Sequence, residues 1–266
     1  MHTALMPLDG NDFDLDSGVY LQGYSTDQYT WPSINEVHNW VYDGVKNHTN
    51  SGAEKGNACI RVVYADAYHI DFPIYIMGEE NGQEVAFLAH KVSGWTLSDP
   101  KAFTQWFQDA VNTHGTQLRN VVKYLKAWNE YKEVGFKSIA LTILVAEEFK
   151  EIESRDDKSL LETVIKIIDR LEKDFSCYKP VMPKDEDVLS GHSYFEKIKM
   201  INSLKEVKNT LHTSIYHHTN DKDATELVQT LFGSRFPVGK NNESFNNEFS
   251  QTNQPEQIGR KNRHFA

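Results

Sequence analysis

Apolar and polar positions follow two different periods along this chain, and the change falls near residue 98. Before it, short apolar runs bounded by Gly, Pro and Asp predict strands over 12–22, 58–64, 69–77 and 84–90. The second and third are expected to join around Asp66. Within this half one helix is predicted over 32–44, from Ile34, Val37 and Val41, with Gly44 as its stop, and the polar stretch 47–56 reads as a loop. From Asp99, a good N-cap, and Pro100, suited to a first helical position, the period becomes helical: Phe103, Trp106, Phe107, Ala110 and Val111, then Leu118, Val121, Leu125 and Trp128. Further helices are predicted over 138–149, 160–171, 193–216 and 224–232, the last closed by Gly233. After Pro237 the composition turns to Asn, Gln, Glu, Ser and Lys, too polar to pack, so 241–266 reads as a disordered tail. The pattern is that of an α+β protein, with a sheet lobe over 1–97 and a helical lobe over 98–240, and no internal repeat.

Three acidic residues interrupt the strands. Successive side chains of a strand point to opposite faces, so Asp14 and Asp16 are expected side by side, with Leu15 turned the other way into the core. Asp71 stands inside the apolar run Ile70, Phe72, Ile74 and Tyr75, where a carboxylate needs a compensating partner. Three carboxylates on one face repel unless a cation sits between them. A pair of Mg2+ ions, hard and oxygen-seeking, is the economical answer, and such sites carry out in-line phosphoryl or nucleotidyl transfer. Arg61 lies on the strand expected beside Asp71, where it is either a surface residue or part of the site.

Charge narrows the substrates. A formal net charge of -10 over 266 residues and a pI near 5.6 argue against a surface that wraps nucleic acid, so nucleotide contact must come from a local basic patch or from metal. Arg119, Lys123 and Lys126 form such a stripe at helical spacing, as either a solvated helix face or a triphosphate contact. Two cysteines, no signal peptide and no apolar run long enough to span a bilayer point to a reducing cytoplasm and no membrane partner. His212, His217 and His218 with Asp221 fall near a polar helix end and read as solvated. Cys59 reads as a small core residue, Trp106, Phe107 and Trp128 as core, and Tyr20 or Tyr75 as a surface on which a base could stack. No Walker A, dinucleotide-binding glycine pattern or zinc spacing occurs.

Two stretches carry a family resemblance: Phe13-Asp14-Leu15-Asp16-Ser17-Gly18-Val19-Tyr20-Leu21, and His69-Ile70-Asp71-Phe72-Pro73-Ile74-Tyr75. They resemble the Asp-x-Asp and His-x-Asp-x-Pro-x-Tyr strands of the DNA polymerase β nucleotidyltransferase superfamily. More narrowly they resemble the bacterial enzymes related to cyclic GMP-AMP synthase, the CD-NTases. Trp95 with Ser98-Asp99-Pro100, Trp106-Phe107, Leu118-Arg119, Lys126 with Trp128, and Gly135 with Ser138-Ile139 follow the family's helical lobe in order. The likeness covers most of residues 5–150.

The resemblance implies a polymerase β-like sheet lobe packed on a helical lobe. It assigns two Mg2+ ions to Asp14, Asp16 and Asp71, nucleotide contact at the lobe junction to Lys126 and Ser138, and the acceptor nucleotide to Arg61. Ser138 can also serve as a helix N-cap. The implied reaction joins nucleoside triphosphates, ATP, GTP or others, into a cyclic di- or oligonucleotide. In the family that product activates a separate effector in anti-phage (CBASS) signalling, and some members are attached through their C-terminal residue, here Ala266, by a ubiquitin-transfer-like partner. The family's Gly-Ser phosphate cradle would fall just before Thr3, so the sheet lobe is expected to be N-terminally incomplete. That leaves a second reading, a nucleotide-binding pseudoenzyme or truncated fragment. A template-independent RNA-extending polymerase is disfavoured by the acidic charge, and no stable nucleic-acid complex is expected.

Overall fold

The structure, a computed structural model, describes residues 3–5, 13–64, 68–184, 186–218 and 220–240, and at positions 13 and 14 the backbone alone. The tail read over 241–266 and the turn expected at Asp66 lie outside the described residues. The chain divides into two compact units. One comprises Met6–Trp106 with Pro180–Asp185, and the other Met1–Leu5, Phe107–Lys179 and Glu186–Ala266.

The first unit is built on one long strand. Numbered along the chain, its strands are β1 (Phe13–Asp16), β2 (Val19–Leu21), β3 (Ala53–Lys55), β4 (Cys59–Val63), β5 (Tyr68–Glu80), β6 (Gln83–His90) and β7 (Gly94–Leu97). The N-terminal half of β5 takes β1 in parallel and β4 antiparallel, whereas its C-terminal half takes β2 in parallel and β6 antiparallel. The strand expected over 12–22 is therefore two, broken at Ser17-Gly18 but holding the same offset against β5. A side chain at Gly18 would come within 3.1 Å of the Tyr20 ring and 3.3 Å of the Tyr75 ring, so a larger residue there would have to push these rings aside by a few tenths of an ångström.

Alternation on the strands decides the core. Ile60, Val62 and Ile74 are buried, and Ile60 and Ile74 join Val37 and Ala89 under helix α1 (Ile34–Val45). A second cluster gathers Trp31, Ile76, Val85 and Phe87, with Leu21, Trp95 and Leu97 packed against it. Helix α1 starts at a reciprocal cap between Ser33 and Glu36, and buried His38 ties it to the sheet through Nε2 and the Ala89 carbonyl at 2.9 Å.

Four expectations are corrected. The helix runs through Gly44 to Val45, because an exposed glycine inside a capped, packed helix weakens it without ending it. Within the expected loop, Ala53–Lys55 forms edge strand β3 against β4, too short and too polar to show a period. Strand β7, also unforeseen, pairs with β6 through a tight turn. Leu15 is 49% exposed rather than core, since it sits on a four-residue strand beyond the reach of the two clusters.

The second unit is helical. After α2 (Pro100–His114), which starts in the first unit with the Asp99 side chain accepting from the Ala102 N–H, come α3 (Thr116–Tyr131), α4 (Ser138–Glu148), α5 (Asp156–Lys173), α6 (Tyr194–Tyr216) and α7 (Asp221–Phe232). Leu118, Val121, Leu125 and Trp128 of α3 are fully buried, as are Leu141, Ile143 and Leu144 of α4. Phe107 is core as expected, whereas Trp106 is only partly buried and stacks on Phe103. Asp156 is buried on α5 and accepts from Gln117 and Asn120 side chains and the Tyr124 hydroxyl, which ties α5 to α3. His212 is exposed and His218 partly buried, and among the described residues no group of His, Cys, Asp and Glu is arranged to hold a metal. No described helix is long and apolar enough to cross a membrane.

Gly78 sits so close to the Trp31 cluster that an added Cβ would stand 2.7 Å from Trp31 and 2.8 Å from Phe87. Gly78→Ala is expected to lower unfolding free energy by about 1–3 kcal/mol through overpacking, read by urea denaturation. Gly44→Ala, whose Cβ meets nothing, is expected to raise it by about 1 kcal/mol through helix propensity.

Candidate active site

The register of β5 brings the acidic residues together. Asp14 pairs with His69 and Asp16 with Asp71 in the parallel ladder, while Arg61 of β4 pairs with Asp71 from the antiparallel side. The Ser17 N–H donates to the Asp71 carbonyl at 2.8 Å and holds the end of β1 against β5. Asp16 is exposed, whereas Asp71 is only 7% exposed.

Asp71 is compensated by a cation from the protein. Arg61 donates from Nε to one carboxylate oxygen at 2.7 Å and from an η nitrogen to the other, also at 2.7 Å. This forked pair holds the Asp71 carboxyl below the usual carboxylate range, against burial, with smaller help from the Cys59 thiol and the nearby His69. Burial and then the Asp71 charge push the Cys59 thiol up to about 11, so it stays protonated beside that carboxylate. Cys59 is therefore partly buried on the carboxylate face rather than in the core. Its neighbour Ile60 takes the core position, and alternation sends Cys59 the other way.

The two tyrosines expected to offer a stacking surface stack on each other, with ring centroids 4.8 Å apart and planes inclined by 19°. The Lys101 ammonium lies 3.6 Å over the Tyr20 ring. Burial raises both phenols to about 12, and the Tyr20 hydroxyl is buried with no hydrogen-bond partner among the described residues.

Lys126 and Ser138 belong to the helical unit. Lys126 lies among the core residues of α3, and its ammonium donates to the hydroxyl of buried Thr3 at 3.0 Å. Burial depresses its pKa, and no carboxylate among the described residues opposes that. It is thus a largely desolvated cation held by a neutral hydroxyl, not a solvated helix face. Arg119 of the same stripe donates to the Gln108 side chain. Ser138 is exposed and is the first residue of α4 rather than its cap; Lys137 occupies the cap and supplies no side-chain hydrogen bond.

Three contacts at these residues were not foreseen: Cys59 on Asp71, Lys101 on Tyr20 and Thr3 on Lys126. For Cys59 the signal was present, since it shares the parity of Arg61 on β4. The other two join residues far apart in sequence and leave no local mark. Two described carboxylates, Asp16 and Asp71, stand in register, the second already kept charged, and oxygen donors of this kind are the ones a hard divalent cation takes; Asp14 lies two residues earlier on the β1 backbone.

Residues 1–75 match the family model described as cyclic GMP-AMP synthase DncV-like, nucleotidyltransferase domain, and residues 115–245 match that of the cyclic GMP-AMP synthase C-terminal domain. A cyclic GMP-AMP synthase of Escherichia coli is 24% identical over 218 residues, which cover 61% of this chain and 47% of that protein. The chain thus spans about half the length of this curated relative. Among solved structures, a mutant of the Vibrio cholerae di-nucleotide cyclase DncV in complex with ATP, GTP and 5MTHFGLU2 superimposes with a TM-score of 0.72 at 18% identity, covering 87% of this chain and 67% of that one. The same cyclase with the linear intermediate 5' pppA(3',5')pG gives 0.69 at 18% identity over 90% and 70%, and its apo form 0.70 at 21% over 88% and 66%. At these identities the structures establish a shared fold.

A desolvated lysine without an acid partner costs stability while it is charged. Lys126→Met is expected to be more stable than the unaltered chain by about 1 kcal/mol at pH 7. Because the folded-state pKa lies below the unfolded one, the unfolded chain binds the extra proton, and stability rises with pH between the two values. The gain from Lys126→Met should therefore shrink as pH climbs through that window towards the ordinary lysine value near 10.5, as read by denaturant unfolding at several pH values.

Proposed function

Because the chain belongs to the DncV-like family of cyclic GMP-AMP synthases, the CD-NTases, we propose that it is a Mg2+-dependent nucleotidyltransferase that makes a cyclic di- or oligonucleotide from nucleoside triphosphates. The observation that carries this reading is the parallel pairing of β1 with β5, which sets Asp14 and Asp16 beside the charged, buried Asp71. Asp14, Asp16 and Asp71 would hold two Mg2+ ions. When bound, these neutralise charge on the triphosphate and lower the pKa of the attacking hydroxyl.

In each turn a ribose hydroxyl of the acceptor nucleotide forms a bond to the α-phosphorus of the donor. The bond from that phosphorus to the β-phosphate bridge breaks, pyrophosphate leaves, and the hydroxyl proton passes to solvent. A second turn within the linear product closes the ring. Lys126, already desolvated, would give its charge to phosphate in place of a hydroxyl, and Ser138 would donate from the first turn of α4, whose cap residue leaves donors unused. Arg61 would reach the acceptor nucleotide.

By family likeness the product would be a cytoplasmic second messenger that activates a separate effector in anti-phage (CBASS) defence. By the same likeness, a ubiquitin-transfer-like partner would attach the protein through its C-terminal residue.

The test is incubation of the purified chain with Mg2+ and labelled ATP, GTP, CTP and UTP, with product identified by mass spectrometry. A form extended upstream by a Gly-Ser helix runs alongside. Cyclic product is expected from at least the extended form, and Asp14→Ala with Asp16→Ala should lower its rate by about 10³-fold, the scale of losing a principal electrostatic stabiliser. Product undiminished in the double variant would overturn the metal assignment. Nucleotide binding with no product from either form would support the pseudoenzyme instead.

A further inference from the structure

Both oxygens of the carboxylate assigned to metal already accept from the protein. Arg61 takes both oxygens of Asp71, and the Cys59 thiol stands near enough to help hold that carboxyl charged. A forked guanidinium and a metal ion both draw on these two oxygens and both bring positive charge to them, so close approach of the ion works against the fork.

The two partners differ in freedom. The Asp71 side chain is 10% exposed, on a strand paired along both edges, whereas that of Arg61 is 38% exposed. The Arg61 head, on a long and partly exposed side chain, has more room to move than the short, buried carboxylate of Asp71. Departure of Arg61 alone would strand a buried charge, which is strongly unfavourable. Arrival of a divalent cation removes that cost and replaces one positive charge by two. A guanidinium freed in this way has a second partner to hand, because its fork matches phosphate oxygens as well as it matches carboxylate.

We propose that Arg61 is a stand-in cation: without a divalent ion it keeps Asp71 charged and in place, and on metal loading it hands that carboxylate over and turns to nucleotide phosphate. Arg61 is thereby a positioning residue that links metal occupancy to nucleotide capture. The inference rests on the metal-dependent reading above and makes one further demand, that Arg61 and the metal ion exclude each other at Asp71.

Mn2+ is the probe, and the full chain without nucleotide is the sample. Free Mn2+ is counted by electron paramagnetic resonance, and unfolding temperature is followed in chelator and in Mn2+. Arg61→Gln is expected to bind Mn2+ about tenfold tighter than the unaltered chain, a difference of about 1.4 kcal/mol. It should melt lower than the unaltered chain in chelator, and Mn2+ should remove that deficit. Arg61→Lys, with a single point charge in place of the fork, should fall between the two, and it carries the test alone where Arg61→Gln does not fold. Mn2+ affinity equal to or weaker than that of the unaltered chain, or a melting deficit of the same size with and without Mn2+, would make Arg61 a permanent structural clamp and overturn the proposal. Asp71→Asn separates this from failure of the metal reading: Mn2+ affinity unchanged by that substitution would mean that Asp71 holds no metal at all.

Discussion

A carboxylate in the middle of an apolar strand has to be compensated, and the first unit is arranged around that requirement. Asp71 sits where β5 is paired on both edges, so its charge can be met from β4 on one side and faced by β1 on the other. Arg61 meets it, two hydrogen bonds deep. The same register that brings Arg61 into place also fixes Asp16 opposite, and alternation then sends Ile60, Val62 and Ile74 to the core. A slip of one residue would bury Arg61 and Cys59 among the apolar side chains under α1. Core and site therefore hold each other in register, since neither can shift without exposing the other's worst residues.

Burial of an acid does not by itself mark chemistry, and the helical unit supplies the contrast. Asp156 is as buried as Asp71. Its partners are neutral: two side-chain amides and a phenol, drawn from three residues of α3. Such a carboxylate is an internal fastener, with both oxygens accepting from groups of a neighbouring helix. Asp71 is held instead by a long, partly exposed, charged side chain. What separates the two acids is the charge and exposure of the partner.

Lys126 shows the opposite imbalance. Its ammonium is largely desolvated among the apolar residues of α3 and is given a hydroxyl where an anion would suit it better. The Tyr20 hydroxyl, buried without a partner among the described residues, is a smaller case of the same kind. Each is a local loss in the isolated chain, and such losses concentrate where a charged ligand is to be received.

The strands, helices and acidic triad could be read directly from periods of two and 3.6, because these follow from the geometry of each element alone. The cap at Asp99, and the positions of Asp14, Asp16 and Asp71, needed no neighbour to be recognised. Edge strand β3, strand β7 and the passage of α1 through Gly44 could not be read, since three or four residues carry too little periodicity and a glycine yields to packing. Pairings were also hidden. That Arg61 clasps Asp71, that Cys59 leaves the core to join them, that Tyr20 and Tyr75 cover each other, and that Lys126 finds Thr3 are all outcomes of strand register or helix packing between residues 10 to 123 positions apart. The sequence by itself determined which residue types were available for a metal and a nucleotide. Only the tertiary structure decided which of them already hold one another, because a charge in a low-dielectric setting takes whatever partner the fold places within reach.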